Sequence, residues 1–286
     1  MEAIAMGDFF EALTDPDMVF LRYALILSVI ASIPLGAVGT MVVVRRISYL
    51  AAAIAHSVLG GIGVALYATE VLGWLWLTPE LGSLLAAVLS AAIVGVVSIF
   101  ARQREDAVIG AIWVTGMALG LICMHASPGY IDPMAYLFGD ILLVGVFDIQ
   151  LAAIVAIVII GALVFGYRQI VAVCFDPEFA VIRGVRAQWV YLLLLQLAAL
   201  SVVILVSLVG IVLVIALLTL PPAVASLRAR SLWQMLLGAI CLNLIFLLGG
   251  LLLSFSLDLP TGPVVILLAA GVYLLSIALG LVFTKK

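Results

Sequence analysis

The sequence predicts an all-α integral membrane protein, a polytopic bundle of about nine transmembrane helices, and three observations predict it. Of its 286 residues 67% are apolar and only 9% charged, with a mean hydropathy of +1.43. That is more hydrocarbon than a water-soluble fold of this length can bury. Apolar stretches recur from Phe20 to Phe283, each of the roughly 20 residues a helix needs to cross a hydrocarbon core about 30 Å thick. Ala152–Val164 and Val202–Leu218 are continuously apolar, whereas barrel strands would alternate, so the spans are helices.

Charge, proline and glycine divide the chain into spans near 20–44, 50–72, 81–101, 107–125, 147–167, 189–207, 209–227, 232–253 and 263–283. Basic residues fall in alternate loops, at Arg45/Arg46, Arg102/Arg104, Arg168/Arg183/Arg186, Arg228/Arg230 and Lys285/Lys286. The positive-inside rule makes those loops cytoplasmic, with the N-terminus outside and the C-terminus inside a multi-pass inner (cytoplasmic) membrane protein. On this assignment eleven of the twelve basic residues lie inside, with Arg22 outside, and eleven of the fifteen acids lie on or near the outer side. The run through Ser207–Gly210 must then reverse direction with no charge in its turn. Without that reversal the spans number eight, and Arg228, Arg230 and both terminal lysines fall outside, so nine is the better reading.

The whole of residues 1–286 reads as a single transmembrane domain, without an internal repeat or a soluble domain. Residues 1–19 carry five acids and no base, the reverse of a secretory leader. They are expected to form an uncleaved extracytoplasmic segment with an amphipathic, interfacial stretch at Ile4–Leu13. Cys123, Cys174 and Cys241 are far apart in sequence and make neither a redox nor a zinc motif. Gly60-Gly61-x-Gly63, Gly116-x-x-x-Gly120 and Gly249-Gly250 predict close helix packing. Pro34, Pro221 and Pro222 predict bends.

Function concentrates in the connections and in one intramembrane histidine. Residues 174–186 predict a short cytoplasmic helix: Asp176 as N-cap, Pro177 in the first turn, Glu178 beside it, and Gly184 as the stop. Phe179, Ile182 and Val185 recur at three-residue spacing and give it one apolar face, which packs on the membrane surface, on the bundle or on a partner. His56 lies inside a span, and ionisable groups at that depth tend to face a pathway or cavity. Neutral imidazole is a common ligand for zinc-like cations. No G-x-x-x-x-G-K-[ST] phosphate loop occurs, and neither H-E-x-x-H nor a catalytic pairing stands out, so an enzyme is not expected.

Four stretches, Arg45–Leu50 with Ala55–Gly60, Met134–Asp140, Phe175–Val185 and Leu218–Ala225, together with Asp258–Pro263, resemble the permease subunits of bacterial zinc/manganese ABC importers, most closely the zinc-uptake permease. The resemblance implies a homodimeric or pseudo-dimeric pore, a cytoplasmic ABC ATPase docked on each copy, and an extracytoplasmic metal-binding protein. It makes Asp176, Pro177, Glu178, Phe179, Gly184 and Val185 the contact through which the ATPase is coupled. ATP and Mg belong to that subunit, and this chain binds no cofactor or nucleic acid. The cargo is zinc or manganese, with iron also open.

The chain departs from the family at Ala51-Ala52, where Gly-Asp is usual, so His56 lacks a carboxylate one turn away. The fourth span has Ile112-Trp-Val-Thr115 where zinc-uptake members tend to carry a further histidine. Either another residue completes the site, the candidates being His125, Asp132 and Asp140 at the outer mouth or Asp258, or the cation passes with few protein contacts, or the substrate differs from the family's usual one. The alternative is an ion-coupled secondary transporter acting without an ATPase, which usually carries inverted repeats or paired intramembrane acids. The sequence has neither.

Overall fold

The computed structural model describes residues 9, 11, 13–100, 105–129, 131–139 and 144–283. Most of the predicted Ile4–Leu13 segment, together with Arg102, Arg104, Asp140 and both C-terminal lysines, lies outside the described residues. Helices dominate: α1 (Val19–Val44), α2 (Ser48–Glu70), α3 (Pro79–Phe100), α4 (Glu105–Ala126), the short α5 (Pro133–Phe138), α6 (Val146–Phe175), the short α7 (Pro177–Ile182), α8 (Ala187–Val209), α9 (Ile211–Ser226), α10 (Leu232–Leu257) and α11 (Thr261–Phe283). Seven of them are long and apolar enough to cross a membrane, and α8 and α9 are the remaining apolar helices among the described residues.

α1 and α2 are the inner helices, with most of their length buried, while α4, α6 and α11 keep broad apolar faces uncovered. α2 packs between α3 and α4; α1 packs on α6, α9 and α10; α11 closes over α9 and α10; and α8 bridges the two groups through α3 and α6. Arg45 ties one end together. Its Nη1 donates to the Val173 carbonyl at 3.0 Å, and its guanidinium lies 5.8 Å from the centre of the Tyr191 ring.

The uncharged turn at Gly210 does reverse the chain. Gln196 donates to the Val88 carbonyl, and Leu192 lies against Gly95, so α8 runs antiparallel to α3. It leaves α7 at the Arg45 end and reaches Gly210 at the other. There Gly210 touches Leu137–Gly139 of the α5 segment. Leu218 and Pro222 then lie beside Gly39, and Ala225 beside Gly238, which returns α9 toward the Arg45 end. One residue makes the reversal because its φ is +85°, where only glycine sits without strain.

One feature differs from expectation. The span predicted to end at residue 167 continues as helix to Phe175. Tyr167, Arg168 and Gln169 mark where the apolar run stops, but the backbone meets no breaker until the Asp176-Pro177 step. Pro34 lies inside α1, and Pro221 and Pro222 lie inside α9. Pro222 deprives the Leu218 carbonyl of its helical donor, and Gly39 of α1 lies directly against that oxygen.

Candidate functional site

Close packing of α2 on α4 sets the position of His56. A Cβ added at Gly60 would stand 2.7 Å from the Gly116 carbonyl oxygen, and one at Gly116 would stand 2.6 Å from the Ser57 Cα. Gly63 and Gly120 make the same kind of backbone contact one turn on. Small residues let helix backbones approach in this way. The contacts advance together along both helices, so α2 and α4 run parallel. One turn before the Ser57–Gly116 contact, the seam delivers His56 onto Trp113, with ring centroids 4.4 Å apart and planes 11° from parallel. Tyr49 joins from two turns earlier on α2, 6.1 Å from the same indole.

His56 is half-buried, and its Nδ1 is buried without a hydrogen-bond partner among the described residues. Ala52, one turn earlier, is buried and offers no ligand. The turn Ile112–Thr115, where a second histidine was sought, instead supplies the aromatic lid Trp113. Thr115 is exposed and returns its hydroxyl to the Ala111 carbonyl at 2.6 Å. The role of Trp113 was not read from the sequence. The available signal was a lone tryptophan in an otherwise aliphatic turn.

Among the described residues, the other proposed ligands sit in local structures of their own. Asp132 is exposed and caps α5, its Oδ1 accepting from the Met134 N–H at 2.9 Å. His125 is exposed in the last turn of α4. Asp140 lies outside the described residues. Asp258 is exposed and ends α10 with φ +52°. Among the described residues no three His, Cys, Asp or Glu side chains gather as a metal-binding group. α5 also lies near the start of α3: burial, with the Glu80 charge adding, raises the Tyr136 phenol above its ordinary pKa.

At the Arg45 end, α7 has the caps expected of it. The Asp176 carboxylate accepts from the Phe179 N–H at 2.9 Å, and Pro177 sits at the first position. Gly184 has φ +81°; its N–H donates to Val181 and that of Val185 to Ala180, both at 2.9 Å. This paired closure satisfies carbonyls that a helix end would otherwise leave open. Ala180 is buried, Val185 packs against the core, and Phe179 and Ile182 are exposed, Ile182 by 81%. The apolar face therefore divides. Val185 lies beyond the left-handed turn and faces the bundle, leaving Phe179 and Ile182 uncovered with the Arg183 guanidinium 5.5 Å from the Phe179 ring centre.

Residues 17–280 match the model of the family described as ABC 3 transport family. A probable metal transport system membrane protein of Chlamydia trachomatis is 34% identical over 250 residues, covering 87% of this chain and 85% of that one. The manganese transport system membrane protein MntC of Listeria monocytogenes is 29% identical, covering 93% and 94%. Among solved structures, a chain of PsaBC from Streptococcus pneumoniae, solved in complex with Fab, superposes with a TM-score of 0.83 at 28% identity, with 95% of each chain covered. A match running from α1 to α11 and carried by fold and sequence alike places this chain in the ABC 3 transport family.

Proposed function

We propose that the chain is the pore-forming permease subunit of an ATP-driven importer for a divalent metal cation, manganese or zinc. The observation that carries this reading is α7. It is a fully capped helix of 6 residues, and it holds Phe179 and Ile182 in the open at the arginine-rich end of an apolar bundle. Exposed apolar side chains on a rigid projection suit a partner's groove. The chain has no phosphate loop, so the partner that hydrolyses ATP is a separate ABC subunit, and α7 with Glu178 is its docking point.

The positive-inside pattern supports an inner-membrane protein with α7 in the cytoplasm, the N-terminus outside and the C-terminus inside. The uncovered faces of α4 and α11 support a homodimer. His56 against Trp113 is the proposed contact for cargo within the membrane. Asp132, His125 and Asp140 form an acidic and imidazole-bearing outer approach where an extracytoplasmic metal-binding protein delivers the ion. Manganese is the cargo named for the Listeria relative, and zinc follows from the motif resemblance. Ala52 leaves His56 without the family's carboxylate, so these candidates hold a cation with few protein contacts.

Co-expression with the cognate ATPase tests the reading. The two subunits are expected to purify together and, in vesicles with the binding protein, to accumulate manganese or zinc only when ATP is present. Uphill uptake by this chain alone would refute it.

A further inference from the structure

The side of the bundle between α1, α6 and α10 has no part in the reading above. The three helices enclose a groove of about 530 Å³, within the roughly 300–1,000 Å³ of small-molecule sites. Its walls are apolar, and its only polar groups are the phenol of Tyr167 and the indole of Trp233, whose rings meet edge to face at 6.3 Å. Val164, Trp233 and Leu237 on its rim are exposed, so it opens toward the bilayer. Along α1 the lining runs from Ile33 to Met41, about 12 Å of helix rise. One leaflet offers about 15 Å of hydrocarbon, half of a 30 Å core, so the slot has the length of a lipid tail.

Its mouth is basic. Arg168 follows Tyr167 and stands four residues past Val164, on the same stripe of α6. Arg230 stands three residues before Trp233, its backbone N–H held by Gln234 Oε1 at 2.9 Å. Arg168, Arg228 and Arg230 are all exposed. No carboxylate occurs between Asp17 and Glu70, between Asp148 and Asp176, or between Glu178 and Asp258. The groove helices themselves therefore bring positive charge to this end; the acids there, Asp176 and Glu178, stand eight and ten residues past Arg168, and the Asp176 carboxylate is taken by the Phe179 N–H. Tyrosine and tryptophan are the residues that settle at headgroup level, and basic pockets between membrane helices take anionic headgroups.

We propose that this groove is a binding site for one anionic phospholipid, with an acyl chain between α1, α6 and α10 and the phosphate at Arg168 and Arg230. A second copy of this chain is a poorer occupant. Two-fold pairing on this face would bring the same arginines to the same rim.

Native mass spectrometry of the full chain, loaded with phosphatidylglycerol or with phosphatidylcholine of identical tails, tests the site. Phosphatidylglycerol adducts are expected to survive activation that strips phosphatidylcholine. Replacing Arg168→Ala and Arg230→Ala together is expected to erase that preference, by about fivefold for each arginine. Val164→Trp, which fills the slot from its exposed rim, is expected to reduce retention of both lipids while leaving both arginines in place. Thermal midpoints without lipid check that the variants are folded, and the arginine pair carries the test if Val164→Trp is not. Equal retention of the two lipids, or an undiminished preference in the arginine variant, overturns the proposal. So does a lipid-free dimer that Val164→Trp dissociates.

Discussion

Gly184 separates backbone strain from bulk as the way α7 is held. Its φ is +81°, and no neighbouring atom lies within 4 Å of where a Cβ would stand. A side chain there meets open space, and the cost of substitution lies in the backbone. A non-glycine residue in the left-handed region loses about 1–2 kcal/mol. Asparagine tolerates that region better than alanine does, and β-branched valine tolerates it worst. The strain acts on the bonds from Gly184 to Val181 and from Val185 to Ala180, so the closed form of α7 is depleted about 5- to 30-fold. With the ATPase in nanodiscs, half-maximal ATPase stimulation is expected to require progressively more partner in the order glycine, asparagine, alanine, valine. Thermal unfolding of the bundle should barely move, because α7 contributes only Ala180 to the buried set. An order that follows bulk instead, with asparagine worse than alanine, would refute the strain argument. Unchanged stimulation by valine would remove α7 from coupling altogether.

Two further substitutions address the α2–α4 seam. Gly60→Val places atoms against the Gly116 carbonyl, and overpacking of this kind costs about 1–3 kcal/mol; a lowered thermal midpoint and altered Trp113 fluorescence are expected, and an unchanged midpoint would deny the close approach. His56→Ala is expected to reduce cation flux at normal expression. Trp113→Phe, which keeps an aromatic face over the imidazole, should retain most of that flux while Trp113→Ala loses it, and equal flux in all three would return the stack to a structural role.

Much of this architecture is legible in the sequence because the bilayer makes simple demands. Apolar runs of sufficient length and basic residues in alternate loops locate the helices, and Asp176-Pro177 with Gly184 announces both ends of α7. The reversal at Gly210 was legible only through the charges that follow it. What stayed hidden depends on contacts between distant residues or on geometry after a turn. Trp113 meets His56 across 57 positions of chain, and no local pattern joins them. The spacing of Phe179, Ile182 and Val185 suggests one face, yet the left-handed residue before Val185 turns it inward. The end of α6 escaped notice because leaving hydrocarbon and leaving helical geometry are separate events: Tyr167 marks the first and Asp176 the second.

The turn at Gly210 also joins the two ends of the molecule mechanically. α8 starts a few residues after α7 and extends as an uninterrupted rod of about 34 Å. Its far tip is wedged against Leu137–Gly139 with no room for even a methyl group. An unbroken run of contacts therefore leads from the face where α7 protrudes to the α5 segment on the opposite face, and a single residue leaves no slack between α8 and α9.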